Sequence, residues 1–191
     1  MTKTEFKTLY VKDRKTWRAW FSKNHARQKE IWLVFYKKHT GKPTISYEDA
    51  VQEALCFGWI DSIVRKIDEE RYMQLFTPRK IGSNWSDLNK RRVKKLIEQG
   101  IMTEAGLRKI EEAKKNGSWR NLDAVEKLKV PPDLRKALSS NSKAQKNFEG
   151  LSPSRKKQFL WWIESAKTEV TRAKRIAETV KLLVENRMPG M

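Results

Sequence analysis

The apolar residues of the chain change their spacing near residue 78. Before it, helical and strand periods alternate. "IWLVFY" (31–36) is an unbroken apolar run rich in β-branched and aromatic residues. Its length suits a strand buried on both faces, which places it centrally in its sheet. Ahead of it, Asp13 can cap a helix whose Trp17, Trp20, Phe21 and Asn24 fall at helical spacing. "HTGKP" (39–43) reads as a turn, and "SYED" (46–49) has capping-box spacing, with Ser46 as N-cap and Asp49 in place of the usual Glu. Tyr47, Ala50, Val51, Ala54 and Leu55 then trace one apolar face, and Gly58 is a ready stop. "WIDSIVRKI" (59–67) leaves as a strand, "DEER" (68–71) turns the chain, and "YMQLFT" (72–77) returns antiparallel to it.

From "FTPRKIGSNWS" (76–86) onward the period is helical. Ser86 can cap 87–99, with Leu88, Val93, Leu96 and Ile97 inward and Gly100 closing the helix. Thr103 opens another with Leu107, Ile110 and Ala113 inward, stopped by Asn116 and Gly117. "SWRNLDAVEKL" (118–128) is shorter, and "VPP" (130–132) breaks the chain. Pro132 and Pro153 suit first helical positions, the latter after a Ser152 cap. The last helices show Phe159, Trp162, Ile163 and Ala166, then Ala173, Ile176, Ala177, Val180 and Leu183. Trp161 beside Trp162 cannot share one narrow stripe, so one of them is either exposed or seals the helical unit onto the first domain, and the packing role is the favoured reading. The expected fold is α+β: a small mixed or antiparallel sheet with helices over 1–129, followed by a helical C-terminal unit over 130–191.

Composition sharpens this picture. Charged residues make up 34% of the 191 and hydrophobic ones 38%, which alone would allow disorder, but eight tryptophans require a core. A single cysteine needs no oxidising compartment. "MTKTEFKTLYVKD" has no apolar signal region, and no window approaches eighteen apolar residues. The expectation is a cytoplasmic protein without a transmembrane segment. Net charge is +19, unevenly spread: residues 1–77 carry 15 Lys and Arg against 10 Asp and Glu, and residues 78–191 carry 27 against 13. Such a field attracts nucleic acid, an anionic membrane face or an acidic protein, or it serves only solubility.

Candidate chemistry centres on "CFGWIDS" (56–62), where Cys56, Asp61 and Ser62 are residue types of hydrolytic sites. Both histidines, His25 and His39, lie earlier in the chain, and no Cys–His or Ser–His pair is visible. Helical geometry turns Cys56 off the apolar stripe, and a structural cysteine is expected. Two unlinked histidines and one cysteine supply no metal set, and no Gly-rich phosphate loop is present. No cofactor is expected.

Asp61 shares a strand face with Trp59 and Ile63, where a carboxylate needs a cation or several donors. A turn symmetric about Glu69 and Glu70 puts Asp61 opposite Pro78, and a one-residue shift puts it opposite Arg79, with Arg65 a competing partner. Asp61 is therefore expected to meet Arg79, or the donors of Asn84, Ser86 and Asn89, in a small polar pocket beside Trp59 and Trp85. A helix N-terminus after that loop would favour an anion. The simpler reading is an ion pair joining hairpin to helix. A second candidate surface is basic: Lys90, Arg91, Lys94, Arg155, Lys156, Arg172 and Arg175 lie in runs opposite the apolar stripes. They would bind nucleic acid only if they converge, and a solvated face is the simpler reading.

"YEDAVQEALCFGWIDS", "DEERYMQLFTPRK", "SNWSDLNKRR", "LIEQGIMTEAGLRKIEEAKKNGSW" and "LSPSRKKQFLWWIESAKTEVTRAKRI" together resemble the YdeI/OmpD-associated family. The resemblance covers nearly the whole chain, with the run from Tyr47 to Trp119 specific to it, and from about Pro131 the chain is similar to the family's helical C-terminal domain. It implies a bacteriocin-protection or antimicrobial-peptide-resistance factor, and it supplies no catalytic residues. The expectation is a non-enzymatic cytoplasmic stress or envelope-protection protein. Two other classes stay open: a basic, non-specific nucleic-acid binder, and a small-molecule or anion binder using residues 59–89.

Overall fold

A mixed four-stranded sheet carries the first half of the chain in the computed structural model, which describes residues 6–190. Its elements are β1 (Thr8–Tyr10), α1 (Arg14–Asn24), β2 (Ile31–Tyr36), α2 (Tyr47–Cys56), β3 (Trp59–Lys66) and β4 (Arg71–Pro78). The strand order is β1-β2-β4-β3; β1 runs parallel to β2 and the other pairs are antiparallel. β2 is central, and Ile31 to Phe35 are all buried, as an apolar run without alternation requires. β1 is not among the elements the sequence predicts, because three residues are too few to show a period.

The sheet's main core face meets α1 and α2. Leu33, Phe35 and Phe76 pack with Trp17, Phe21, Val51 and Leu55, all at most 1% exposed. Ring centroids lie 4.3 Å apart for Trp17 and Phe21 and 5.4 Å for Phe21 and Trp59. Burying each such side chain contributes about 1.5–3 kcal/mol. The other face holds a smaller cluster of Trp32, Val34 and Met73. Both helix starts are capped: Asp13 accepts the Thr16 amide at 2.7 Å, and Ser46 Oγ accepts that of Asp49 at 3.0 Å.

Gly58 ends α2 at φ 75°, a left-handed position that suits glycine. The chain then runs through α3 (Asp87–Glu98) and α4 (Glu104–Lys115) to a 3-10 turn at Ser118–Arg120. α4 crosses the end of α2 in direct contact, since a Cβ on Gly106 would lie 2.3 Å from the Cys56 carbonyl oxygen. Thr103 donates its hydroxyl to the same carbonyl at 2.6 Å. Cys56 is consequently fully buried, contrary to its expected place off the apolar stripe. A second helix covers the side that α2's own period marks as outward.

Other stripes are narrower than their sequence pattern. Val93 and Leu96 are buried on α3 and Ile110 and Ala113 on α4, whereas Leu88, Ile97 and Leu107 are exposed. Tyr47, assigned to the apolar face of α2, is 44% exposed.

The chain divides into two compact units, residues 1–120 and 121–191. The second contains α5 (Asp123–Glu126), α6 (Pro132–Ser139), α7 (Ser142–Gly150), α8 (Pro153–Glu164) and α9 (Glu169–Val184). Its core joins Val125, Leu134, Leu138, Phe148, Phe159, Ile163 and Leu183, with Trp161 and Trp162 both half-buried against it. The inward side of α9 is Thr179, Leu182 and Leu183, and Ala173 and Ala177 are exposed instead. Alanine matches an apolar stripe but has too little surface to require burial.

Candidate functional site

The β3–β4 register decides what Asp61 meets. Lys66 pairs with Tyr72, Val64 with Gln74, and Asp61 with Phe76. Ser62 and Ile63 together therefore face Leu75, a β-bulge that twists the hairpin. Near the turn, Asp68 Oδ1 accepts the amides of Glu70 and Arg71 at 2.9 and 2.7 Å. That Asx-type closure and the bulge shift the register the opposite way from the expected one, so neither Pro78 nor Arg79 lies across from Asp61.

Asp61 is half-buried, as expected, but its partners differ. Its Oδ2 accepts from Gln74 Nε2 at 2.6 Å and from the Tyr47 hydroxyl at 2.8 Å. Gln74 is 4% exposed on the core face of β4, between Tyr72 and Phe76. An amide there needs a partner, and a glutamine between two core aromatics is the signal in the sequence that points to Asp61. Tyr47 leaves part of its ring in solvent but turns its hydroxyl inward. Burial, followed by the bond to Asp61, pushes its pKa up to about 12.

Arg79 is 4% exposed and lies with its guanidinium 3.7 Å over the Trp85 ring. Its Nη1 donates to the Asn84 carbonyl at 3.0 Å, so the expected bond to Asp61 is replaced by one within its own loop. Burial lowers its pKa to about 10 and the charge of Asp61 acts in the opposite direction, leaving Arg79 cationic at neutral pH. Ser86 caps α3 by accepting the Asn89 amide at 3.3 Å. Asn89 Oδ1 in turn accepts from Arg92 Nη1 at 2.8 Å, and Arg92 grips Glu48 through Nε at 2.9 Å and through Nη2. That grip, ahead of the opposing effect of burial, holds the Glu48 carboxyl down to about 2. Trp59 is drawn into the aromatic core instead, its Nε1 donating to the His25 carbonyl at 3.2 Å.

A second polar cluster lies between α1 and α2. Glu53, 1% exposed, accepts from Arg14 Nε at 2.6 Å and from Arg18 Nη1 at 2.8 Å. Arg14 also reaches Asp49 at 3.2 Å, and Arg18 the Ile101 carbonyl at 2.8 Å. The spacing of Arg14 and Arg18 on one helix face was the available signal. Cys56 sits next to this cluster. Burial first, and the Glu53 charge second, push its thiol up to about 11, so it stays protonated and unreactive at neutral pH.

In the second unit, an open cleft of about 720 Å³ has Leu128, Val130, Leu138 and Phe148 on its floor. Lys127, Lys129, Arg135 and Lys156 rim it, with Glu149 the one acid in its lining. Leu128 adopts φ 53° where α5 closes, the Lys129 amide reaching back to the Ala124 carbonyl at 2.9 Å. The basic candidates of this unit are engaged differently. Arg172 pairs with Asp133 at 2.5 Å and Glu164 at 3.1 Å, Arg175 bonds the Trp162 carbonyl and Ser165, and Lys156 the Glu149 carbonyl; Arg155 is exposed. In the first unit, Lys90 lies 3.8 Å from Asp87 and over Trp119, Lys94 lies 4.0 Å from Glu98, and Arg91 is exposed.

Among the described residues no group of three or more His, Cys, Asp or Glu is placed to hold a metal, and no helix is long and apolar enough to cross a membrane. The class is therefore an α+β domain followed by a helical domain. Residues 9–109, just over half the chain, match the family described as a domain of unknown function, DUF8412, and the chain belongs to that family. Residues 127–186 match the family described as bacteriocin-protection, YdeI or OmpD-associated. The resemblance read across nearly the whole chain is thus matched in the second unit, while most of the run from Tyr47 to Trp119 falls within the other family. No curated protein and no solved structure matches the chain.

Proposed function

We propose that this is a protection protein of the bacteriocin-resistance type that acts in the cytoplasm by binding rather than by turnover. The observation that carries the reading is positional: every residue lining the cationic cleft lies within the 127–186 match. A cleft of this size with an apolar floor and a few charged groups has the make-up of a binding site. Binding rather than acid–base chemistry is supported by the first unit's titrating groups. General acids and bases work best near the operating pH, whereas Glu48 is held at about 2, Cys56 at about 11 and Tyr47 at about 12. The single, buried thiol requires no oxidising compartment, which supports the cytoplasm.

The test is survival. The full chain, expressed in a bacteriocin-sensitive bacterium, raises the concentration that inhibits growth. Lys127→Glu with Lys129→Glu abolishes that gain without moving the unfolding midpoint, because both side chains are exposed and without an ion pair among the described residues. No protection by the unaltered chain overturns the function. Full protection by the charge-reversed chain removes the cleft from it. Cell fractionation tests the compartment.

A further inference from the structure

Leu128 holds a conformation that ordinarily goes to glycine or asparagine. Its φ is 53° where α5 closes, with its own amide on the Val125 carbonyl at 3.0 Å and that of Lys129 on the Ala124 carbonyl at 2.9 Å. The same unit closes α9 by the same pattern, and there the left-handed residue is Asn186, at φ 55°. A leucine in that position carries a backbone cost that an asparagine does not, so its side chain has to be needed for something else. Leu128 is half-buried and contributes to two apolar surfaces, the core of the second unit and the floor of the cleft of about 720 Å³. Lys127 and Lys129, on either side of it in the chain, stand on the rim of that cleft.

We propose, resting on the reading that this cleft is the protein's binding site, that its ligand is a single-chain anionic amphiphile, of which a fatty acid is the simplest. The floor decides the buried part. Leu128, Val130, Leu138 and Phe148 offer no side-chain hydrogen-bonding group, so what lies on them is hydrocarbon. Phe148 is 5% exposed, too covered to stack a base, which sets nucleic acid aside. The rim decides the head. Lys127, Lys129 and Arg135 are exposed and in no ion pair among the described residues. The one acid of the lining, Glu149, accepts from Gln145 Nε2 at 2.9 Å and neutralises none of them. Uncompensated positive charge around an apolar floor complements a hydrocarbon chain that ends in negative charge. Shape favours one molecule over a bilayer: about 720 Å³ lies within the range of small-ligand sites, and a flat membrane surface would rest on the rim without reaching the floor.

The test is calorimetric titration of the full chain with dodecanoate below its micelle concentration. One molecule is expected to bind per chain, with dodecyltrimethylammonium about tenfold weaker or worse and acetate undetected. Lys127→Glu with Lys129→Glu is expected to weaken dodecanoate about tenfold and to narrow the preference between the two heads. Leu128→Asn supplies the residue type that closes α9, so it keeps the turn and a folded chain, and it is expected to weaken dodecanoate about tenfold through the lost floor. Equal binding of the two heads, or undiminished dodecanoate binding in either variant, overturns the proposal. So does tighter binding of an octaglutamate peptide or of phosphatidylglycerol vesicles, which would assign the cleft to an acidic protein or to a membrane surface. The result is separable from survival: a chain that protects without binding dodecanoate overturns this ligand alone, and one that binds it without protecting overturns the function alone.

Discussion

Gln74 donates across the β3–β4 hairpin to Asp61 at 2.6 Å, next to the bulge that sets the register there. The bond links a buried amide of an inner strand to a half-buried carboxylate of an edge strand, with the Tyr47 hydroxyl of α2 as the second donor. Asp61→Ala strands the Gln74 amide in the core and is expected to cost about 1–3 kcal/mol in urea unfolding. Asp61→Asn keeps an acceptor and costs less. Tyr47→Phe, losing a bond at a partly exposed site, costs about 0.5–1.5 kcal/mol. An Asp61→Ala protein as stable as the parent would show that the bonds from Gln74 and Tyr47 to Asp61 do not stabilise the fold.

Glu53 makes a sharper demand. It is nearly inaccessible and receives two arginines from α1, so its removal leaves both without their main partner. Glu53→Ala is expected to destabilise the chain by about 1–3 kcal/mol, since the two arginines it leaves are each about a third exposed and keep Asp49 and the Ile101 carbonyl as partners. Arg18→Ala and Arg14→Ala, each leaving one arginine on the carboxylate, should each cost less. Denaturant midpoints of the three variants give the order directly, and Glu53→Ala must come last.

The Glu48–Arg92 pair predicts a pH dependence. The folded Glu48 carboxyl is held at about 2, below its ordinary 4.5. Its contribution is complete above about pH 4.5 and is lost as pH falls from there toward 2. Half of the Glu48 side chain is exposed, so the contribution is modest. Glu48→Gln should flatten the acid limb of the stability curve in that window and leave neutral pH little changed. An unchanged acid limb would mean that Arg92 does not hold the carboxylate in solution. Asp13, Asp68 and Asp133 are lowered too, so the readout is the difference between variant and parent.

Local signals were legible in the sequence and long-range ones were not, and the residues show why. The caps Asp13, Ser46 and Ser86 each bond an amide three residues on, so a few consecutive letters contain the whole interaction. β2 declares itself because burial on both faces leaves no polar position in it. Asp61 was recognisable as needing partners, yet their identity depended on one extra residue in β3, which the alternation of "WIDSIVRKI" does not reveal. Arg79, expected to meet Asp61, lies instead over Trp85 with its Nη1 on the Asn84 carbonyl, a contact within its own loop. The burial of Cys56 depends on Gly106, fifty residues away in the chain, and no local pattern carries that information.

That contact gives the last prediction. Cys56 is sealed by α4, and its thiol is pushed up to about 11, so a thiol reagent at pH 8 should label the native chain only as fast as it opens. Labelling should accelerate in parallel with denaturant-induced unfolding. Cys56→Ala removes a small buried group and is expected to cost about 1–3 kcal/mol without affecting protection of the host. Gly106→Ala acts from the other side of the contact: its methyl would come within 2.3 Å of the Cys56 carbonyl oxygen, so α4 has to move outward. The expected cost is about 1–3 kcal/mol, together with faster labelling of Cys56 in the native state. If Gly106→Ala instead leaves both stability and labelling unchanged, α4 does not seal the end of α2. Loss of protection in a stably folded Cys56→Ala chain would return the thiol to the list of functional groups.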